Sequence, residues 1–388
     1  MATRSNQKNN QNSSSKRKRS AREREARRKT KLVIFGVEIA VILAMLAVLY
    51  VVMTKVNDEG PKLTYLAPEN LAIPEEVKKE SEEGSMKGYV NIALFGVDAR
   101  TENTLYKSSR SDSTMIASVN MDTGEIRLVS VYRDTYLNLG NDTYQKCNAA
   151  YANGGAEQAI KMLNMNLDMD IKDFVAVGYL GVIDVVDGLG GVYIDVDNAE
   201  LKHLNNYQKS MTDPNLKDAY VPALKDYPYV PVTQTGYQKL NGLQAAAYCR
   251  IRYTAGDDFM RTARQREVLK AIEDQAKKAD YATLLKVFNS VIDDIYTSID
   301  EKDLMTFLDN ISKYKIVEEG GFPEESMRTT GDISSKGSCV VPLDLESNVV
   351  WLHQFLFDDE DYHVTAGVHE ISEKVRSDTA PYIRNKSN

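Results

Sequence analysis

Two apolar, β-branched segments, residues 114–120 and 126–132, are separated by the turn-forming residues 121–125 (MDTGE). This pattern predicts a β-hairpin. If the turn centres on Asp122 and Thr123, the numbers of facing residues sum to about 245. The turn therefore sets the register of the two strands.

Charged side chains lie at the open end of this hairpin. The register places Asp112 opposite Arg133, and Arg110 and Asp134 flank that pair. Opposed charges at a strand end are often solvated ion pairs that contribute little to stability. Such ion pairs explain the presence of these four residues as well as a functional role does. The hairpin nevertheless brings two cations and two carboxylates to one end of a sheet.

Further cations follow in the segment CRIRY, residues 249–253. A strand-like conformation there would point Arg250 and Arg252 to the same side. They could therefore face one site together.

A long helix is predicted over residues 258–278, with Asp257 or Asp258 as its N-cap. One stripe along this helix, at spacings of 4, 3 and 4, consists of Arg261, Gln265, Val268 and Ile272. Because the apolar half of the stripe must face the core, its first turns direct Arg261 and Gln265 inward or into a cleft. The helix N-terminus adds positive partial charge and free N–H groups.

Inward-facing arginines are costly unless an anion meets them. The set comprises Arg110, Arg133, Arg250, Arg252 and Arg261. Internal ion pairs could absorb part of this charge, through Asp98, Asp112, Asp134, Asp257 and Asp258. Planar guanidinium groups would still remain that suit phosphate oxygens.

Asp98 and Asp112 each lie next to a predicted strand, and together they could hold a hard cation. Mg²⁺ favours one or two carboxylates plus substrate phosphate oxygens. Arginines combined with such an ion suit phosphoryl transfer from a diphosphate. The sequence contains no Walker loop, G-x-S-x-G, H-E-x-x-H or Rossmann glycine motif, and its four histidines form no ligand pair.

The elements that must position these residues alternate between strand and helix. Strands are predicted at 89–97, 174–177 and 189–196. Residues 149–164 are predicted to contain a Gly-Gly interruption and then a helix, and a second helix is predicted at 178–187. This alternation is typical of an α/β fold with one mixed central sheet and helices on both faces.

The second half of the chain adds mainly helices. Residues 198–236 are polar and rich in Tyr, and are predicted to be a long loop. Helices are expected at 240–248, about 280–313 and 344–357. No internal repeat is found, so residues 89–365 are predicted to be one domain, followed by a C-terminal tail at 366–388.

The N-terminal region indicates a membrane anchor. Residues 1–31 have a net charge of about +10. Because the whole chain has a net charge of −8, the rest of the chain has a net charge of about −18. Residues 32–53 are mostly apolar and long enough to cross a bilayer. The positive-inside rule then places 1–31, a disordered basic tail, in the cytoplasm, and 54–88 outside as a linker to the external domain. Nucleic acid is not expected as a partner.

Three cysteines, Cys147, Cys249 and Cys339, are too few for a disulfide framework. Cys147 and Cys249 are expected to act as small buried hydrophobic residues, although a bridge between them stays open.

Seven segments, in order, resemble the signature blocks of the LytR-CpsA-Psr family, membrane-anchored enzymes of Gram-positive envelopes. The segments are ALFGVDAR, RSDSTMIASVN, VSVYRDTYLNL, KCNAAYANGG, VIDVVDGLGGVYIDV, LNGLQAAAYCRIRY and DDFMRTARQREVL. They cover about residues 89–275.

The resemblance implies a phosphotransferase that moves an anionic glycopolymer, teichoic-acid-like or capsular, from a polyprenyl diphosphate carrier to peptidoglycan. It matches Asp98 and Asp112 to Mg²⁺-binding carboxylates, and these two with Arg110 and Arg133 to catalytic positions. The residues matched to the diphosphate site are Arg110, Arg133, Arg250, Arg252, Arg261 and Gln265. It also implies an apolar lipid channel between sheet and helices.

Two other functions remain open at this point. The same residues could cleave polyprenyl diphosphates with water, or the protein could bind lipid-linked glycans as an envelope regulator without catalysis. The general base is unassigned, since Asp98 and Asp112 are candidates only if they are not fully committed to metal.

Overall fold

The computed structural model describes residues 64–98, 105, 109–216, 219–252, 257–291, 295–299 and 314–383. The predicted cytoplasmic tail and membrane span, residues 1–31 and 32–53, lie outside these ranges. Within the described part of the chain, no helix is long and apolar enough to cross a membrane.

A mixed sheet forms the centre of the fold, as predicted, and has six strands in the described residues. These are β1 (Tyr89–Val97), β2 (Ser111–Asn120), β3 (Glu125–Val131), β6 (Asp173–Val177), β9 (Ile295–Thr297) and β10 (Lys315–Phe322). Their order across the sheet is β10-β3-β2-β1-β6-β9. The β1–β2 and β2–β3 pairs are antiparallel, whereas β1–β6 and β3–β10 are parallel. In the part of the chain that the structure describes, three two-stranded ribbons accompany the sheet: β4 (Tyr136–Asn138) with β5 (Tyr144–Lys146), β7 (Val192–Val196) with β8 (Gly236–Leu240), and β11 (Arg328–Asp332) with β12 (Ser338–Pro342).

The helices in the described ranges are α1 (Glu75–Glu83), α2 (Ala149–Leu167), α3 (Tyr179–Gly188), α4 (Asn198–Thr212), α5 (Gly242–Tyr248), α6 (Asp257–Ala276), α7 (Tyr281–Val291), α8 (Leu345–Phe357) and α9 (Ala366–Thr379). The predicted Gly-Gly interruption is present as a kink in α2, where Gly155 has a φ of 67°. Such a φ suits glycine, which lacks the Cβ atom that would clash.

One face of the sheet carries the main apolar core. Strand residues such as Phe95, Ile116 and Phe174 pack there with side chains from α2, α8 and α9. The opposite face carries smaller apolar clusters, one of which joins Val175 to Val287 of α7. Helices therefore cover both faces, as the α/β pattern predicts.

The folded domain extends beyond both predicted limits. Residues 64–88, assigned to the linker, include α1, and Leu71 and Val77 from this segment are buried in the main core. Residues 366–379, assigned to the tail, form α9, whose Val368 and Val375 are also buried there. Apolar residues spaced along these polar segments account for both corrections.

The predicted loop at 198–236 is wrong over its first part, because residues 198–212 form α4. A capping box begins this helix: the Asp197 carboxylate accepts from the Glu200 N–H (2.7 Å), and the Glu200 carboxylate accepts from the Asp197 N–H (3.0 Å). Leu204 and Met211 are buried on one side of the helix. The many polar residues between these two made their helical spacing difficult to recognise in the sequence.

The predicted strand at CRIRY and the predicted helix over 280–313 also need correction. After α5 the backbone N–H groups of Arg250 and Ile251 donate to Ala247 and Tyr248 carbonyl oxygens, so this segment begins as a turn. Helix α7 ends at Val291, and Ile295–Thr297 is a strand, β9. All three cysteines are free, and Cys147 and Cys339 are buried.

We expect His353 to make stability depend on pH. The ring is fully buried, its Nε2 donates to the Leu167 carbonyl oxygen (3.0 Å), and burial lowers its pKa from 6.5 to about 4. The unfolded chain therefore binds a proton that the folded chain excludes as pH falls from 6.5 towards 4. At pH 5 this removes about 2 kcal/mol of the free energy of unfolding.

Urea denaturation at pH 7 and pH 5 measures this effect. His353→Gln should be less stable at pH 7 but lose less stability than wild type on acidification, while the exposed control His363→Gln should keep the wild-type difference. Equal acid losses in wild type and His353→Gln would contradict the assignment.

Candidate functional site

The hairpin has the predicted register. Met115 pairs with Ser130 and Ile116 with Val129. At the open end Arg133 Nη1 donates to Asp112 Oδ1 in a direct salt bridge. The sequence-predicted pair is therefore formed, and it is only partly exposed, with 15% of the Arg133 side chain accessible.

Asp112 is the point at which three arginines from separate elements meet. After Arg133, the second is Arg252, whose Nη2 atom lies 3.7 Å from Asp112 Oδ2. The backbone carbonyl oxygen of Asp112 accepts from Arg261 Nη2 (3.3 Å). The start of β2 thus contacts the end of β3, the segment after α5 and the first turns of α6.

Two more carboxylates complete this group. Asp258 Oδ1 lies 3.3 Å from Arg261 Nη1 and 3.5 Å from Arg252 Nε. Asp134 Oδ1 lies 3.2 Å from Lys146 Nζ and 3.6 Å from Arg133 Nε. We call this group, Asp112, Arg133, Asp134, Arg252, Asp258 and Arg261, the charged cluster.

The arginines of the charged cluster experience different surroundings. Burial lowers the pKa of Arg261, and the neighbouring charge of Arg252 acts in the same direction. Burial also opposes the charged form of Arg133, but Asp112 and Asp134 outweigh it and raise the pKa of this residue. Burial therefore disfavours the charged form of Arg261, and only 2% of its side chain is exposed.

Arg250 lies on aromatic rings beside the cluster. Its guanidinium carbon is 4.7 Å from the Tyr179 ring centroid and 5.7 Å from that of Tyr207. Burial raises the pKa of Tyr179; Arg250 opposes this rise, and the charges of Asp112 and Asp98 add to it. Asp98 therefore acts electrostatically on the same ring that supports Arg250.

The other predicted site residues lie at the margin of the charged cluster. Gln265, one turn after Arg261, donates from Nε2 to the Cys249 carbonyl oxygen at a long 3.5 Å. The Asp98 N–H donates to the Arg110 carbonyl oxygen (3.4 Å), so the residue after β1 and the residue before β2 are paired through the backbone. The Arg110 side chain is exposed, unlike those of the other predicted arginines.

Asp257 and Asp258 are the first two residues of α6, so they lie within its first turn instead of preceding it as N-caps. The carboxylate of Asp258 interacts with arginines, as described above. The expected internal ion pairs are therefore present in part.

Several buried nitrogen atoms here have no hydrogen-bond partner among the described residues. They are Arg133 Nε, Arg250 Nη1, Arg261 Nε and Arg261 Nη1. Each buried donor without a partner costs about 1–3 kcal/mol. The oxygen atoms of an anion are suitable acceptors for such donors, and the carboxylates of the cluster leave these four nitrogen atoms without a hydrogen bond.

Within the described ranges no group of three or more His, Cys, Asp and Glu side chains is arranged to hold a metal ion. Asp98 and Asp112 still fit Mg²⁺ chemically, because this ion takes one or two carboxylates and completes its shell with substrate oxygens and water. Both oxygens of Asp112 face arginines, so binding of an ion there would require these contacts to loosen.

A sequence model of the LytR_cpsA_psr family matches residues 63–340. The chain belongs to this family. It is 27% identical over 248 residues to the polyisoprenyl-teichoic acid–peptidoglycan teichoic acid transferase TagT of Bacillus subtilis, covering 62% of this chain and 70% of TagT. It is 27% identical to TagU of Enterococcus faecalis, which has the same transferase name, covering 71% of this chain and 81% of TagU.

The fold of this family member also resembles a solved structure, that of protein gbs0355 from Streptococcus agalactiae. The TM-score is 0.56 at 22% identity, and the match covers 74% of this chain and 92% of the other. The mixed sheet and its helices are therefore shared with that protein.

Sequence reasoning missed a buried ion pair that supports the site. Arg264 Nε donates to Glu200 Oε1 (2.6 Å), and Arg264 Nη1 donates to the Ile251 carbonyl oxygen (3.2 Å). Ile251 lies between Arg250 and Arg252, so this contact fixes the backbone that presents both. The sequence offered a signal only for the helix that carries Glu200, namely the Asp197–Glu200 capping box at the start of the segment predicted as a loop.

We expect Arg264→Ala to lower the free energy of unfolding by about 3–5 kcal/mol, because it leaves the buried Glu200 carboxylate without its partner. Thermal and urea denaturation measure this loss. Lys270→Ala, at an exposed position of the same helix, should change stability by less than about 0.5 kcal/mol. A loss at Arg264 as small as that at Lys270 would show that the ion pair does not support the fold.

Proposed function

We propose that this protein transfers an anionic, teichoic-acid-like glycopolymer from a polyprenyl diphosphate carrier to peptidoglycan. The observation that carries the proposal is the convergence of Arg133, Arg252 and Arg261 on Asp112, with buried guanidinium nitrogens that have no hydrogen-bond partner among the described residues. Membership of a family that includes TagT and TagU supports it.

In this proposal the guanidinium groups bind the diphosphate and stabilise the charge that develops during transfer. Arg133, Arg252 and Arg261 reach one point from three elements, so the oxygens of both phosphates can be contacted at once. A peptidoglycan hydroxyl attacks the phosphorus nearer the glycan, and polyprenyl phosphate leaves. Arg250, stacked on Tyr179 and Tyr207, would add a further donor.

Asp98 and Asp112 would hold Mg²⁺, and Arg110 and Gln265 would lie at the margin of the diphosphate site. The ion would supply charge neutralisation to the diphosphate oxygens. Asp112 would then exchange part of its contact with Arg133 and Arg252 for the metal, which would free those two arginines for the substrate.

The sheet face opposite the main core is a candidate path for the prenyl chain. Leu94 of β1 pairs with Val175 of β6, and both are only half-buried, as is Val177. The apolar cluster around Val175 and Val177 adjoins the larger cluster of α5, α6 and the β7–β8 ribbon through Val185 and Leu189, which pack against both. A lipid chain lying between the sheet and these helices would cover Leu94, Val175 and Val177.

The proposed topology follows from the charge pattern of the N-terminus. Residues 1–31 would lie in the cytoplasm, residues 32–53 would cross the membrane, and the folded domain would lie outside. The chain would then work at the membrane surface, where its lipid-linked substrate is embedded.

We expect Arg133→Ala and Arg252→Ala to reduce transfer by about 10²–10³-fold, because each removes a donor to the diphosphate. The measurement is formation of glycan-linked peptidoglycan from a polyprenyl-diphosphate-linked glycan by the full-length chain in detergent. Arg376→Ala, at an exposed position of α9, is the matched control and should act like wild type. Release of free phosphorylated glycan with and without acceptor would instead indicate a hydrolase.

Removal of divalent cations should abolish transfer, and Mg²⁺ should restore it. Asp98→Asn should raise the Mg²⁺ concentration needed for half-maximal activity, because one carboxylate ligand is lost. The readout is the rate of transfer in EDTA followed by Mg²⁺ titration, with Asp122→Asn at the hairpin turn as control. Full activity of wild type in EDTA would exclude the metal from the proposal.

A further inference from the structure

Arg328 is held against two aromatic rings next to the charged cluster. Its guanidinium carbon lies 4.1 Å from the ring centroid of Phe259 and 4.8 Å from that of Tyr132. The two rings meet edge to face, with their centroids 4.7 Å apart. Arg328 Nη1 also donates to the Pro323 carbonyl oxygen (2.9 Å) and, at a long 3.4 Å, to the Tyr132 hydroxyl. These contacts fix the guanidinium group on the rings.

Three elements of the fold bring these residues together. Arg328 begins β11, Tyr132 directly follows β3, and Phe259 lies in the first turn of α6. The Tyr132 ring fits against the end of β10 because position 321 is a glycine, Gly321, where a Cβ atom would overlap the phenol. The Tyr132 N–H donates to the Phe322 carbonyl oxygen (3.0 Å), which holds the residue in this place.

Two of these elements also carry the charged cluster. Tyr132 directly precedes Arg133 in the sequence. Phe259 likewise directly follows Asp258. Because neighbouring Cα atoms are about 3.8 Å apart, the rings, and Arg328 on them, lie at the edge of the charged cluster.

The charge of Arg328 is not neutralised by a carboxylate of the described residues, since its hydrogen-bond acceptors there are a carbonyl oxygen and a hydroxyl. The Glu324 carboxylate, just before β11, instead accepts from the Ser326 N–H (2.6 Å). By contrast, Arg127 Nη2 lies 2.8 Å from Asp358 Oδ2. Aromatic faces attract a guanidinium group without cancelling its net charge. Arg328 can therefore still bind an anion through its planar donors.

These donors are accessible. The Nε and Nη2 atoms of Arg328 make no hydrogen bond within the described part of the chain, and neither is among its buried unpartnered atoms. Arg250 also lies on aromatic rings, but its Nη1 atom is buried, which suits the more enclosed diphosphate. Arg328 is thus placed for an anion that lies outside the diphosphate site.

We propose that Arg328 binds an anionic group, a phosphate or a carboxylate, of the glycan that is transferred. This rests on the proposed function, in which the charged cluster binds the diphosphate and the glycan is bonded to one of its phosphates. Arg328 is then a specificity-determining residue that favours donors whose glycan carries negative charge close to the diphosphate. It takes no part in the phosphoryl transfer itself.

The donor glycan suits this position better than the acceptor does. Its anionic groups are covalently linked to the diphosphate, so binding at the charged cluster presents them to Arg328 at a high effective concentration. The acceptor arrives separately and contributes a hydroxyl. The rings under Arg328 hold its guanidinium group in place before the glycan binds, which reduces the entropy cost of the contact.

The first test measures donor selectivity in Arg328→Ala, with the full-length chain in detergent. Two polyprenyl-diphosphate-linked donors are compared, a neutral disaccharide and the same disaccharide extended by one glycerol phosphate unit. For the phosphate-bearing donor kcat/KM should fall by about 10–100-fold, because a hydrogen bond between charged groups is lost. The value for the neutral donor should stay that of wild type, and Arg376→Ala should change neither. Equal losses with both donors, or no loss with either, would overturn the proposal.

The acceptor is varied separately, with its stem-peptide carboxylates free or amidated and with the neutral donor. Wild type and Arg328→Ala should respond equally to amidation. A response confined to wild type would show that Arg328 binds the acceptor, and would overturn its assignment to the glycan.

The second test does not need catalysis. Calorimetry measures binding of a short, lipid-free glycerol phosphate oligomer to the full-length chain in detergent. Arg328→Lys keeps the charge and the stem on the rings, yet should bind the oligomer more weakly than wild type because an ammonium group lacks the planar donors. Affinity for inorganic pyrophosphate with Mg²⁺ should be the same in both proteins.

Equal oligomer affinity in wild type and Arg328→Lys, or a loss of pyrophosphate affinity as large as the loss for the oligomer, would overturn the proposal. Oligomer binding that depends on Arg328, without transfer of either donor by wild type, would contradict the proposed function and leave the anion contact standing.

Discussion

The structure depends on how buried guanidinium charge is compensated at one end of the sheet. Arg261 is almost completely buried, yet its contacts are one backbone oxygen of Asp112 and a 3.3 Å contact with Asp258. A buried charge needs both a counter-charge and hydrogen-bond acceptors. The carboxylates supply the counter-charge but only some of the hydrogen-bond acceptors. Guanidinium donors are therefore left for an anionic ligand.

The fold holds this arrangement with elements that are distant in sequence. The β2–β3 hairpin fixes Asp112 against Arg133, and α6 directs Arg261 towards the same point. The Arg264–Glu200 ion pair then secures the turn that carries Arg250 and Arg252. Each arginine is thus positioned before a ligand arrives, which reduces the entropy cost of binding.

The parts of the site that could be predicted from sequence are those governed by local periodicity. The hairpin turn fixes the register of β2 and β3, so the Asp112–Arg133 contact follows from it. The helical stripe likewise placed Arg261 inward. Local patterns do not encode long-range partners, so the Arg264–Glu200 pair and the stacking of Arg250 on Tyr179 were not predictable. The polar composition of residues 198–212 also concealed α4.

A crystal structure of the protein with farnesyl diphosphate and Mg²⁺ tests the central claim most directly. We expect diphosphate oxygens about 2.7–3.2 Å from the guanidinium nitrogens of Arg133, Arg252 and Arg261, with the prenyl chain beside Leu94 and Val175. A diphosphate bound elsewhere, with these arginines still paired to Asp112 and Asp258, would contradict it.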